Sequence, residues 1–122
     1  MLVIRKAQES VFNEIAENQF VQQIKEMMLK DWPEEFEKLS DSEPERFISR
    51  QLYTARRVAD FHTEYDLSRY MVITMALEEV CWHAHEWAKA IIADESLAPS
   101  HKMNLLWQHV EDAMEQWSAD SQ

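Results

Sequence analysis

The sequence predicts an all-α fold, a compact single-domain bundle of about five helices with an apolar helix at its centre. Two observations predict it. Apolar residues recur at three- and four-residue steps along most of the 122 residues, and no segment alternates as a half-buried strand does. Apolar residues make up 46% of the chain and charged residues 29%, too much hydrophobicity for a disordered chain and enough to bury a core. Residues 1–122 are therefore expected to form one domain, with a frayed tail from about residue 118.

Each element has its own signal. From Arg5 to Lys30, Val11, Phe12, Ile15, Phe20, Ile24, Met27 and Met28 line one side of a long helix. It should stop near Trp32, because a proline disfavours helical geometry in the residue before it; Pro33 then opens a short second helix, "PEEFEKL". In "SDSEPERF", Ser42 and Glu45 have the spacing of a capping box and Pro44 sits in the first turn of a third helix. Ile48, Leu52, Ala55, Val58 and Ala59 mark its apolar side, while Arg46, Arg50, Tyr53 and Arg57 mark a cationic one.

Thr63 or Asp66 can cap a fourth helix whose stretch "YMVITMAL" is apolar nearly all round, the pattern of a helix surrounded by others. Two courses are open after it: the helix runs on to Ala93, or it breaks near 81–86 and resumes at "HEWAKAIIA". "DESLAPS" reads as a loop, and Pro99 starts a last helix with Met103, Leu106, Trp107, Val110, Met114 and Trp117 on one face.

Composition excludes several functions. Twelve Lys and Arg stand against 23 Asp and Glu, a formal charge of -11 that repels phosphate backbones and anionic lipid surfaces, so no nucleic-acid partner is expected. No apolar run reaches the roughly 20 residues of a membrane span, and "MLVIRKAQES" does not read as a signal peptide. With a single cysteine, Cys81, no internal disulfide can form, and the chain reads as cytoplasmic. Without glycine, phosphate-cradling loops, dinucleotide fingerprints and nucleophile elbows lose their usual backbone. No motif brings a nucleophile beside a base and no cofactor is called for, so the expectation is a protein that is not an enzyme.

The densest chemistry lies in "EEVCWHAHEW", residues 78–87. On a straight helix, at about 100° per residue, His83 and His85 diverge by about 200°. Glu78, Cys81 and His85 share one face and form the best metal-ligand trio; Glu79, His83 and Glu86 form another on a different face. Buried Cys81 with boundary histidines is the simpler expectation, and a break at 81–86 would let Cys81, His83 and His85 converge. For partner binding, the expected residues are Arg46, Arg50, Tyr53 and Arg57, which can read carboxylates on a partner, together with Trp32 and Trp82 as exposed indoles. Internal pairing of the arginines with Glu34, Glu35 or Glu37, or their solvation, is the simpler expectation.

Several stretches resemble a family of small, mostly uncharacterised all-helical bacterial proteins encoded beside type VI secretion spike and effector genes. They are "IRKAQ" (Ile4, Arg5, Gln8), Phe20, "DWP" (31–33), "TEYDLSRYM" (63–71) and above all "WAKAIIADESLAPSHKM" (87–103). The family tends to have glycine where this chain has Asp60, and another near "EEVCWH". The resemblance implies an accessory role: an adaptor or chaperone that binds a secreted effector or spike protein. An immunity protein neutralising a cognate toxin is the alternative, and a metal-binding protein or metalloenzyme centred on Cys81 and His85 the second alternative.

Overall fold

The computed structural model describes the backbone of residues 2–120 and the side chains of residues 17–116. Among the described residues it is all-α, with six α-helices, one 3-10 turn and no strand. No helix among them is long and apolar enough to cross a membrane. The chain divides into two compact units, residues 1–49 and 50–122.

In the first unit, α1 (Leu2–Asp31) packs against α2 (Pro33–Ser40). The junction is made by proline. Trp32 leaves helical geometry (φ -137°, ψ 58°) because the ring of Pro33 crowds it, and Pro33 occupies the first position of α2, where its missing N–H removes no hydrogen bond. Phe20, Val21, Ile24, Met28, Phe36, Phe47 and Ile48 are buried, and the rings of Phe36 and Phe47 meet edge to face at 6.2 Å. The side chains of Val11, Phe12 and Ile15, and those of the "IRKAQ" segment, lie outside the described residues.

The third helix, α3 (Pro44–Arg57), starts one residue later than the capping-box spacing implies. Phe47 N–H donates to the Glu43 carbonyl at 3.0 Å, which makes Glu43 and not Ser42 the residue before the helix. Glu45 is consequently free to turn toward α1, where it accepts from Lys25 Nζ at 3.1 Å.

The second unit holds the rest of α3, then α4 (Glu64–Leu77), a 3-10 turn (Trp82–Ala84), α5 (Glu86–Ile92) and α6 (Pro99–Asp120). Helix α4 packs on α6, and α5 packs on both α6 and the 3-10 turn. Thr63 caps α4, its hydroxyl accepting from Asp66 N–H at 3.1 Å. Leu67, Tyr70, Met71, Ile73, Thr74 and Met75 are buried around most of the helix circumference, as the all-round apolar pattern predicts.

A partly buried polar cluster, with Asp66 and Arg69 buried and Ser100 and Asn104 at the surface, joins the N-terminal ends of α4 and α6. Arg69 Nη2 donates to Asp66 Oδ1 at 2.8 Å and Arg69 Nη1 to Asn104 Oδ1 at 2.8 Å; Ser100 Oγ donates to the other Asp66 oxygen at 2.9 Å. The exposed ring of Tyr65 covers the guanidinium at 4.2 Å. At the far end of α5, Lys102 Nζ donates to the Ile92 carbonyl at 2.6 Å, satisfying a helix-end acceptor. Helix α6 continues to Asp120, past residue 118 where fraying was expected, and residues 121 and 122 lie outside the described residues.

Candidate functional site

The question posed by residues 78–87 is answered by one backbone angle. Helix α4 ends at Leu77, and Glu78 adopts the left-handed conformation (φ 52°, ψ 41°). Glu78 N–H donates to Met75 O and Glu79 N–H to Thr74 O, both at 3.2 Å, which is the pair of reversed bonds of a Schellman motif. Glycine usually fills the left-handed position; here a glutamate does, and the helix stops three residues earlier than the earliest break expected.

The break separates the metal-ligand candidates. One-turn spacing placed Glu78, Cys81 and His85 on a common face only if the helix continued, and it does not. Cys81 is exposed and free, not buried as expected, because it follows the helix break; His85 Nε2 lies 2.8 Å from Glu79 Oε2, and His83 Nδ1 lies 3.2 Å from the hydroxyl of Tyr70. Among the described residues no three His, Cys, Asp or Glu side chains gather into a metal site. That excludes from the described geometry both trios and the convergence of Cys81, His83 and His85. Neither histidine pair includes a serine, threonine or cysteine, so neither activates a nucleophile of those types. Burial holds the His83 imidazole below its ordinary pKa. Burial, followed by the charge of the Cys81 thiolate, pushes the Tyr70 phenol well above its ordinary value.

Trp82 corrects a second expectation. It is fully buried, its indole N–H donating to Thr74 Oγ1 at 3.0 Å, so it cannot serve as an exposed anchor. The 3-10 turn directs it inward, against the Tyr70 ring at 4.7 Å and in a parallel stack with Trp87 at 6.0 Å. Trp87 in turn stacks on His109 of α6 at 4.1 Å. The aromatic row thus runs from the core to the surface.

At its outer end the row opens into a cleft of about 180 Å³, lined by Leu77, Glu79, His85, Trp87, His109 and Val110 among others. A second cleft, about 230 Å³, lies along α4 and α6 between Val72, Ala76, Trp107, Val110 and Met114, with Glu111 at its edge. Val110 belongs to both. The sequence marks Trp107, Val110 and Met114 as an apolar helix face but not the part of that face that α4 leaves open.

The predicted arginine stripe divides between the two units. Arg46 lies in the first, 3.4 Å from Glu43, beside a polar hollow with Asn18, Gln22, Glu45 and Ser49. Trp32, also in the first unit, is half-buried. Arg50, Tyr53 and Arg57 lie in the second unit, and all three are exposed. Tyr53 is 61% exposed, and the Arg57 guanidinium lies 5.6 Å from its ring centre. Neither Arg50 nor Arg57 has a carboxylate partner among the described residues. No family model, curated protein or solved structure matches the chain.

Proposed function

We propose that the chain is a non-enzymatic helical binding module, a cytoplasmic adaptor or chaperone for a secreted effector or spike component of a type VI secretion system. The observation that carries the binding role is the Arg50, Tyr53 and Arg57 face. Arg50 and Arg57 lie on the same helix as exposed Tyr53, the Arg57 guanidinium over its ring, and neither has a carboxylate partner among the described residues. Arginine and tyrosine, with tryptophan, are the side chains enriched at the energetic centre of protein interfaces, and planar guanidinium groups suit carboxylates. The effector or spike as partner comes from the resemblance of "TEYDLSRYM" and "WAKAIIADESLAPSHKM" to the secretion-associated family.

The test is co-purification of the chain with the products of its neighbouring genes. A stable complex is expected, lost in the Arg50→Glu, Arg57→Glu variant while its helical circular dichroism is kept. A chain that captures no neighbouring effector or spike protein would overturn the proposal. The formal charge of -11 favours one second reading, an immunity protein matched to a basic toxin. Rescue of cells expressing a neighbouring toxin would select it over the adaptor.

A further inference from the structure

The two clefts on α4 and α6 share Val110 and form one exposed apolar track. Along α6 it extends from Trp107 to Met114, about 10 Å or two helical turns. Its floor is buried Val110, and Val72, Ala76, Leu77, Trp87 and Met114 are its half-exposed walls. The charges beside it are mainly acidic: the Arg69 guanidinium, 5.9 Å from the Trp107 ring, is buried and paired with Asp66, and His85 and His109 are the other basic side chains at the clefts. Glu79 and Glu111 line the clefts, neither cleft is lined by a lysine or arginine, and Asp112 and Glu115 extend the same sign along exposed positions of α6.

We infer that this track is a docking groove for a basic amphipathic helix of a partner protein, its aliphatic side chains on Val72, Ala76, Val110 and Met114 and its lysines or arginines reaching Glu79 and Glu111. The length suits two or three turns, the usual extent of helix-in-groove recognition. Both carboxylates keep acceptor capacity for such a ligand: Glu79 gives one oxygen to His85 and Glu111 one oxygen to the Trp107 indole. A second copy of the chain fits poorly, because its charge of -11 would set carboxylates against carboxylates. The groove is opposite in polarity to the Arg50 and Arg57 face, so the second unit carries surfaces for two chemically different partners. The inference does not depend on the secretion partner: failure of co-purification would leave the groove experiment unaffected.

The probe is a synthetic helix of about 14 residues of leucine and lysine with leucines on one face, long enough to be helical when bound. A control peptide has glutamate in place of every lysine. The indole N–H resonances of the chain report where the peptide sits. The lysine helix is expected to shift Trp87 and Trp107 saturably while buried Trp82 stays in place, and the glutamate helix to shift none. Placing a cation in the groove by Ala76→Arg or, as an independent check, Met114→Lys is expected to weaken binding by about tenfold or more with the Trp82 resonance unchanged. Undiminished binding to both variants, unmoved Trp87 and Trp107, or equal binding of the glutamate helix would overturn the inference. Self-association through the groove, seen by sedimentation and lost in Ala76→Arg, would replace the proposed occupant with a second copy.

Discussion

Trp82 reaches back across the break to Thr74: its indole N–H donates to Oγ1 at 3.0 Å, and the Thr74 hydroxyl donates to the Tyr70 carbonyl at 3.0 Å. This buried relay fixes where the segment after α4 returns to the core. Thr74→Val leaves the indole N–H unpaired and should cost about 1–3 kcal/mol, whereas Trp82→Ala, which also empties a large buried site, should cost about 3–5 kcal/mol. Urea denaturation gives both values, and a double-mutant cycle isolates the coupling.

The Asp66 and Arg69 pair is more costly to break than to replace. Their side chains are 2% and 10% exposed, so Arg69→Met leaves a buried carboxylate with only the Ser100 hydroxyl and is expected to destabilise by about 3–5 kcal/mol. In the Asp66→Leu, Arg69→Met double variant no buried charge is left alone. Much of the loss should return, and a double variant as unstable as the sum of the singles would show that the pair contributes more than it costs to desolvate.

Glycine substitution should stabilise at Glu78. Relief of left-handed crowding, about 1–2 kcal/mol, is opposed by the extra freedom of glycine in the unfolded chain, about 0.4–1 kcal/mol, which leaves a net gain of up to about 1.6 kcal/mol. Asp60 also has positive φ (60°), but an aspartate tolerates that region better and its carboxylate meets His62 at 2.7 Å. The thermal midpoint of Glu78→Gly should therefore rise more than that of Asp60→Gly.

The Tyr70 and His83 pair limits the stable pH range on both sides. Because the folded His83 pKa lies below 6.5, the unfolded chain takes up that proton first as pH falls; the contribution is complete above about 6.5 and is lost as pH falls through the folded value. Because the folded Tyr70 pKa lies above 10.0, the unfolded phenol ionises first as pH rises, and stability declines above about 10.0. Denaturation midpoints measured across pH should show both limbs, the acid limb flattened in His83→Phe and the alkaline limb in Tyr70→Phe.

Much of the helix layout is legible because its punctuation is local chemistry. Pro33, Pro44 and Pro99 stand at or next to helix starts, and Thr63 caps α4 through its own hydroxyl. The end of α4 is not legible for the converse reason: with no glycine to mark a left-handed residue, Glu78 looks like any other surface glutamate. That one omission propagates. Helical spacing gathered Glu78, Cys81 and His85 only while the helix was continuous, and the burial of Trp82 follows from a turn the sequence does not announce. The exposed positions of Arg50, Tyr53 and Arg57 follow helical spacing because α3 is regular through that span, whereas the clefts beside α4 and α6 depend on how far apart two apolar helix faces settle.

The contacts of Ser100 with Asp66 and of Asn104 with Arg69 join residues 34 and 35 positions apart. In chain-entropy terms they are a clasp: closing a loop of that length costs about 3 kcal/mol before the enclosed chain makes any contact of its own. Everything between, from the left-handed turn through the tryptophan stack and α5, is then tethered at both ends and searches a far smaller space. A segment with an unmarked helix end and only one full helix, α5, can find its place because the ends of its loop are already held.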